Sequence, residues 1–278
     1  MITHISVIIV TKNEEKRIAR CLEPLSTEFS DIRVLDSASD DNTVRIAKGY
    51  GAQVSDFYWN GKYPKKYQWS LEYLDGLNDW ILFVDADEIL TPELIAELET
   101  LDLQGAGYMI ASRYSVDGRV LRHGVVNRKL CLLNRHKMIF PVVDDLDIAG
   151  GVGEIEGHYQ PVRRNYFRQE KIGALKSFMI HEALEDEKDW VRKHERYAHW
   201  EAEMDRRGAW PRDPSKVRHI LKCVFKAMPW RSGVAFLHSY VWKLGFLDGK
   251  AGLKLARSRY LYYHRIAQIA SETSKHLV

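Results

Sequence analysis

Asp85-Ala86-Asp87 places two carboxylates two residues apart at the end of the apolar run Trp80-Ile81-Leu82-Phe83-Val84. On an extended strand, side chains i and i+2 point the same way, so both acids can face one point. Carboxylates held close repel and raise each other's pKa unless a cation compensates. A hard divalent ion, Mn²⁺ or Mg²⁺, resolves that conflict when bound by one or two carboxylates plus the phosphates of a substrate. The competing reading makes the pair a cap for the next helix. Thr91-Pro92-Glu93 already supplies that helix with an N-cap, a first-turn proline and an acidic first turn, so the two acids are not needed there.

Two more apolar runs end in polar clusters. Residues 5–10 run into Thr11-Lys12-Asn13-Glu14, and residues 32–35 run into Asp36-Ser37. In an open parallel sheet, ligands sit at the carboxyl ends of the strands. One Asp after a strand is commonly a turn or cap residue. Polar clusters at several strand ends of one domain point to a site.

The elements that must carry these ends follow from periodicity. Residues 5–10 are apolar without alternation, as in a strand covered on both faces. Ile18, Cys21, Leu22 and Leu25 form one side of a helix. A strand at 32–35, a helix at 43–50 stopped by Gly51, a strand at 52–57, a helix from about 64 to 77 and a strand at 80–84 complete a strand–helix alternation. That order predicts an α/β domain with right-handed crossovers. Beyond Gly107, residues 108–116 and 129–133 read as strands of a mixed sheet around the turn Asp117-Gly118. Gly150-Gly151-Val152-Gly153 reads as a flexible loop, and 185–207 as a helix. The rest of the chain reads as helices broken at Pro229 and Asp248-Gly249.

Length and composition, 278 residues with 45% hydrophobic and 28% charged, suit a large α/β domain with an appendage. Cys21, Cys131 and Cys223 lack any paired spacing, which argues against a disulfide framework or zinc site and for a reducing cytoplasm. Residues 1–4 lead straight into a strand pattern, so no secretory leader is expected, and no apolar run is long enough to span a bilayer. From Arg206 onward there are 15 Lys/Arg against 3 Asp/Glu, leaving 26 against 35 before it. A basic tail on an acidic body fits an anionic surface. Within 216–228, Val217, Ile220, Leu221, Val224, Phe225 and Met228 form one apolar stripe, with Lys216, Arg218, Lys222 and Lys226 on the other side. Such a helix can lie in the plane of an anionic membrane. It can equally pack its stripe against the body of the protein.

The strand-end segments Thr-Lys-Asn-Glu-Glu, Val-Leu-Asp-Ser-Ala-Ser-Asp-Asp-Asn-Thr and Asp-Trp-Ile-Leu-Phe-Val-Asp-Ala-Asp-Glu resemble glycosyltransferase family 2, above all the bacterial branch that builds lipopolysaccharide core and other surface polysaccharides. The resemblance extends to Gly-Phe-Leu-Asp-Gly at 245–249. It implies a GT-A (Rossmann-like) α/β catalytic domain with a mixed central sheet over 1–210, and a basic amphipathic helical region over 211–278. It implies an inverting, metal-dependent enzyme, cytoplasmic or peripheral on the inner face of the cytoplasmic membrane. The donor would be a nucleotide-diphosphate sugar, favoured as UDP-linked, and the acceptor a hydroxyl of a glycan or glycolipid.

The same resemblance assigns residues. Thr11, Asn13 and Glu14 would line the nucleotide pocket, and Asp36 would accept the N3–H of uracil. Lys65, Lys66 and Gln68 would flank the donor, together with Asp85 and Ala86. Asp87 would bind Mn²⁺ or Mg²⁺, with Asp85 beside it and His181 completing the set. Where the family tends to carry a His-Glu pair before its glycine-rich loop, this chain has Val143-Asp144, followed by Asp145. The catalytic base is therefore Asp144 or Asp145, with Asp147 behind them. Arg122, His123, Lys129 and Arg135 lie where an acceptor would bind.

Three other readings compete. A sugar-phosphate nucleotidyltransferase would open with a glycine-rich loop after the first strand, and Thr11-Lys12-Asn13-Glu14-Glu15 has no glycine. A polyprenyl-phosphate sugar synthase fits the same residues and stays open. A nucleic-acid-binding tail is disfavoured, because Trp230, Tyr240, Trp242, Tyr260, Tyr262 and Tyr263 fall mostly within apolar helical stretches rather than an aromatic-basic groove.

Overall fold

The structure, a computed structural model, describes residues 1–148, 153–156, 159–184, 187–211, 213 and 216–275. Gly150, Gly151 and Val152 of the expected glycine-rich loop lie outside the described residues. The elements begin β1 (Ile2–Thr11), α1 (Ile18–Glu28), β2 (Phe29–Asp36), α2 (Thr43–Gly49), β3 (Gln53–Asp56), α3 (Lys66–Tyr73), β4 (Trp80–Asp85), β5 (Glu88–Leu90) and α4 (Pro92–Glu99). There follow β6 (Gly107–Val116), β7 (Arg119–Val120), β8 (Asn127–Asn134), β9 (Met138–Ile139), β10 (Val162–Arg163) and β11 (Ile172–Leu184). Helices α5 (Glu187–Arg207), α6 (Lys216–Ala227), α7 (Arg231–Leu237) and α8 (Gly249–Lys275) close the chain.

The main sheet has the order β3-β2-β1-β4-β8-β6-β11-β5, with β7 paired to β6. Strands β3, β2, β1 and β4 are mutually parallel, whereas β8 runs antiparallel to β4 and to β6. This is the mixed α/β architecture expected of a GT-A domain, followed by a helical C-terminal region. By contact the chain divides into two compact units. The first comprises Met1–Arg113, Val126–Phe140 and Gln160–Glu182; the second comprises Tyr114–Val125, Pro141–Tyr159 and Ala183–Val278.

In the first unit, β1 is buried on both faces through Ile5, Val7, Ile8 and Ile9, which is why its sequence does not alternate. Helix α1 buries Ile18, Cys21, Leu22 and Leu25, the stripe of an amphipathic helix. Thr91 caps α4 by accepting a hydrogen bond from Leu94 N–H at 3.3 Å, as its place before Pro92 predicts. The helix expected over 64–77 is shorter. Lys65 is extended, Leu74 leaves the helix, and Gly76 turns the chain at φ +69°, a conformation that ends a helix at little cost only for glycine.

The second unit packs α5 on α8 through Ala198, Ala202, Ile266 and Ile269. Tyr262 Oη donates to Glu201 Oε2 at 2.8 Å, and Arg265 pairs with Glu195 at 2.7 Å. The apolar stripe of α6 is not packed away: Val217, Ile220, Leu221 and Val224 are all exposed. Its basic side is the one that is held. Lys222 Nζ lies 2.7 Å from Asp213 Oδ2, Arg218 lies 3.2 Å from the same oxygen, and Lys226 reaches Asp205 at 3.0 Å while sitting over the Trp210 ring. Packing of the stripe is limited to its end, where Phe225 and Met228 are half-buried and Phe225 stands edge-on to Tyr263, while two acids outside the helix claim its cations.

Candidate active site

Parallel pairing sets the frame. Thr11 of β1 stands opposite Asp36 of β2, and Val10 of β1 opposite Asp85 of β4. Neighbouring strands lie about 4.8 Å apart, so β2, β1 and β4 end on one edge of the sheet, with Thr11 abreast of Asp36 and Asp85 one residue short of them.

Thr11 and Asp36 are buried and bonded to each other, Oγ1 to Oδ1 at 2.8 Å. Asp36 also accepts Ser39 N–H on Oδ2 at 2.7 Å and Ser39 Oγ on Oδ1 at 2.6 Å. A carboxylate has about four acceptor positions, and these contacts use three of them. The loops after β1 and β2 are zipped together. Asn13, at φ +57°, donates its backbone N–H to Ser39 Oγ and accepts Asp40 N–H on its side chain, while Glu14 N–H bonds Thr43 Oγ1 at 2.7 Å.

Lys65, Lys66 and Gln68 are all buried. Lys66 donates to Thr11 O at 2.7 Å and to Ser37 Oγ, fastening the ends of β1 and β2. Lys65 lies over the Tyr63 ring, and Gln68 accepts Phe140 N–H at 2.9 Å.

The second acid of the Asp85-Ala86-Asp87 segment is not on a strand. β4 stops at Asp85, Ala86 and Asp87 form a tight turn, and Glu88 opens β5. Strand alternation therefore does not align the two carboxylates as expected. Asp85 accepts Tyr67 Oη at 2.9 Å on Oδ1 and Lys129 Nζ on Oδ2. Lys129 also lies 2.9 Å from Glu88 Oε1, which accepts Ser112 Oγ at 2.9 Å. Asp87, in the turn, has His181 Nδ1 3.5 Å from its Oδ1.

Burial alone would push the Glu88 carboxyl up, yet Lys129 and His181 beside it bring it down to about 2. Burial likewise opposes charge on Lys129, but Asp85 and Glu88 hold its pKa well above the ordinary lysine value. His181 is raised too: Asp87 and Glu88 outweigh its desolvation. The charge conflict that called for a metal is thus met in part by Lys129, which was expected on the acceptor side. Glu88, Tyr67 and Ser112 were not foreseen. Glu88 had one signal in the sequence, an acid immediately after Asp87, but nothing marked its partner.

Among the described residues, no group of three or more His, Cys, Asp and Glu side chains is arranged to hold a metal alone. Asp87 and His181 offer an oxygen and an imidazole nitrogen, a donor pair that fits Mn²⁺ or Mg²⁺ if substrate phosphates complete the shell. Asp85 fits less directly, since the Lys129 ammonium already offsets its charge.

Asp144, Asp145 and Asp147 belong to the second unit. Asp144 is 80% exposed at its side chain, with Arg207 3.8 Å away. Asp145 is buried and accepts Trp200 Nε1–H at 2.9 Å, and Asp147 is bound to Arg207 at 2.6 Å. Arg122 and His123, also in this unit, donate their backbone N–H groups to Asp248 at 3.3 and 2.7 Å. Arg135 belongs to the first unit, where its guanidinium donates to Leu71 O at 2.8 Å.

The model of the family described as Glycosyl transferase family 2 matches residues 6–170. An uncharacterized glycosyltransferase of Rickettsia typhi is 43% identical over 95 residues, 34% of this chain and 32% of that protein. The SPbeta prophage-derived glycosyltransferase SunS of Bacillus subtilis is 37% identical over 87 residues, 31% of this chain and 20% of that one. The chain thus aligns with about a third or less of the length of these curated relatives. Among solved structures, glucosyl-3-phosphoglycerate synthase from Mycobacterium tuberculosis with Mn²⁺, UDP and glucosyl-3-phosphoglycerate is 27% identical, covers 40% of this chain and 44% of that one, and has a TM-score of 0.31. S. aureus TarS 1-349 is 14% identical with a TM-score of 0.43, covering 98% of this chain and 91% of that one.

Proposed function

The chain belongs to glycosyl transferase family 2, and from that premise we propose that it moves a sugar, with inversion, from a UDP-sugar to a hydroxyl of a glycan or glycolipid acceptor in bacterial envelope polysaccharide synthesis. In this reading residues 1–210 do the chemistry and 211–278 are a basic extension. The observation that carries it is that Asp36, Thr11 and Asp85 close three adjacent parallel strands on one edge of the sheet, next to the turn bearing Asp87.

The residues divide the work. Asp36 Oδ2 receives the N3–H of the uracil ring with its remaining acceptor position. Thr11, Asn13 and Glu14 shape the nucleotide pocket, and Lys65, Lys66 and Gln68 flank the donor together with Asp85 and Ala86. Asp87 and His181 would hold Mn²⁺ or Mg²⁺, which when bound would supply positive charge against the leaving diphosphate. Asp144, whose carboxylate is exposed, takes the proton of the attacking hydroxyl; Asp145, held by Trp200, fixes the loop that presents it.

Among the described residues no helix is long and apolar enough to cross a membrane. The exposed stripe of α6 is part of the proposal as a peripheral contact with the inner face of an anionic membrane. The test of the transfer reading is a panel of nucleotide sugars assayed for hydrolysis and for thermal stabilisation, with and without Mn²⁺. UDP-sugars are expected to stabilise the protein in a metal-dependent way. Equal indifference to every nucleotide sugar would sink the assignment.

A further inference from the structure

Residues 237–247 turn sharply after α7, through a π-helical turn (His238–Trp242), Leu244 in the left-handed region at φ +58°, and a 3-10 turn (Gly245–Asp248). The turns are fixed from the inside by small groups and backbone. A Cβ on Gly245 would come within 2.6 Å of Ser239 O, and one on Gly252 within 1.9 Å of Gly245 O. Lys243 O accepts Gly124 N–H at 2.7 Å, and the buried Asp248 accepts the N–H groups of Arg122 and His123.

With the small residues inside, the large apolar ones are outside. Leu237, Val241, Leu244, Phe246 and Leu247 are exposed, and Trp242 is 78% exposed. Isolated exposed hydrophobics need no explanation, but a cluster of this kind on a braced turn marks a contact surface. Its charge is of one sign. Between residues 216 and 271 the only acid is Asp248, which is buried, whereas Lys243 and Lys250 are exposed beside the apolar side chains.

We propose that this turn inserts into the interfacial layer of an anionic bilayer. Trp242 and Phe246 enter between the headgroups, and Lys243 and Lys250 meet the lipid phosphates. Tryptophan concentrates at membrane–water boundaries, and lysine stems reach from apolar surface to phosphate. A protein partner fits less well, since lysine is depleted at the core of protein interfaces. A second copy packed about a two-fold axis would bring Lys243 and Lys250 against their own copies, and the turn itself carries no exposed acid to answer them. The inference goes beyond the transfer reading and rests on residues independent of the α6 stripe.

The experiment is flotation of the full chain with vesicles of phosphatidylcholine alone and of phosphatidylcholine mixed with phosphatidylglycerol, without donor or acceptor. Binding is expected only with phosphatidylglycerol, weakening with salt, and falling about tenfold or more in a Trp242→Ser/Phe246→Ser variant. The substituted side chains are exposed, so circular dichroism should report an unchanged fold. Brominated acyl chains should quench the fluorescence of the bound wild type, and Trp242→Phe should bind while losing that quenching. Absence of binding at low salt, unchanged binding by the double variant, or quenching that survives Trp242→Phe would each overturn the proposal. So would a solution dimer abolished by the double variant, which would assign the turn to a second copy. Because no sugar nucleotide is present, failure here leaves the transferase assignment untouched, and failure of that assignment leaves this result standing.

Discussion

Lys129 Nζ on β8 lies 2.9 Å from Glu88 Oε1 on β5, two strands that are not neighbours in the sheet. Glu88 is 1% exposed at its side chain, so its charge depends on this cation, on His181 and on the Ser112 hydroxyl of β6. Removing one partner of a buried pair leaves a charge without compensation, which costs more than the pair contributes. Lys129→Met should therefore destabilise the protein by about 3 kcal/mol in urea unfolding. Adding Glu88→Gln should restore part of that loss. Equal midpoints for Lys129→Met and wild type would show that the pair is solvated and weak.

Asp36→Asn keeps the shape of the side chain but turns one acceptor into a donor. UDP binding, measured calorimetrically, should weaken about ten- to a hundredfold, the range for mispairing a buried polar group. The thermal midpoint without nucleotide should also drop, because Asp36 holds Thr11 and Ser39. Undiminished affinity for UDP would move the base-reading role elsewhere.

Asp87→Ala should lose turnover by about a hundredfold or more. Excess chelator should abolish activity in the wild type, and Mn²⁺ or Mg²⁺ should restore it. If Asp87→Ala turns over at the wild-type rate, or the wild type does so in chelator, the metal role of this turn is wrong.

Asp144→Asn should bind UDP-sugar normally and turn over poorly, since only the proton acceptor is gone. Asp145→Ala should instead show a stability loss, because the Asp145 carboxylate accepts the Trp200 indole N–H in a buried place. Normal turnover in Asp144→Asn with collapse in Asp145→Asn would exchange their roles.

In the second unit, hydrogen bonds from Arg206 and Arg207 bring the Glu203 carboxyl down to about 2. Its folded pKa lies below the unfolded value of about 4.3, so the stabilisation is full above the unfolded value and disappears as pH falls toward 2. Glu203→Gln should lower the melting temperature at pH 7 by the equivalent of about 1 kcal/mol or less. The gap to wild type should close as the pH is brought down toward 2. A gap that persists there would mean packing rather than charge.

The strand ends were legible in the sequence because their cause is local. Burial on both faces makes β1 and β4 read as unbroken apolar runs, and parallel pairing brings their terminal residues, with those of β2, to one edge of the sheet. The cap at Thr91 and the stop at Gly51 are equally short-range. Tertiary structure alone decided the charge balance. Asp87 left the strand because β4 ended one residue before Ala86, and Lys129 reached Asp85 and Glu88 from a strand some forty residues further along. Periodicity likewise gave α6 its apolar stripe without saying which way it faces. Asp205 and Asp213, outside the helix, claimed its cations and turned the stripe outward. A one-dimensional pattern records which side chains share a face; which partner that face meets depends on residues brought close only by folding.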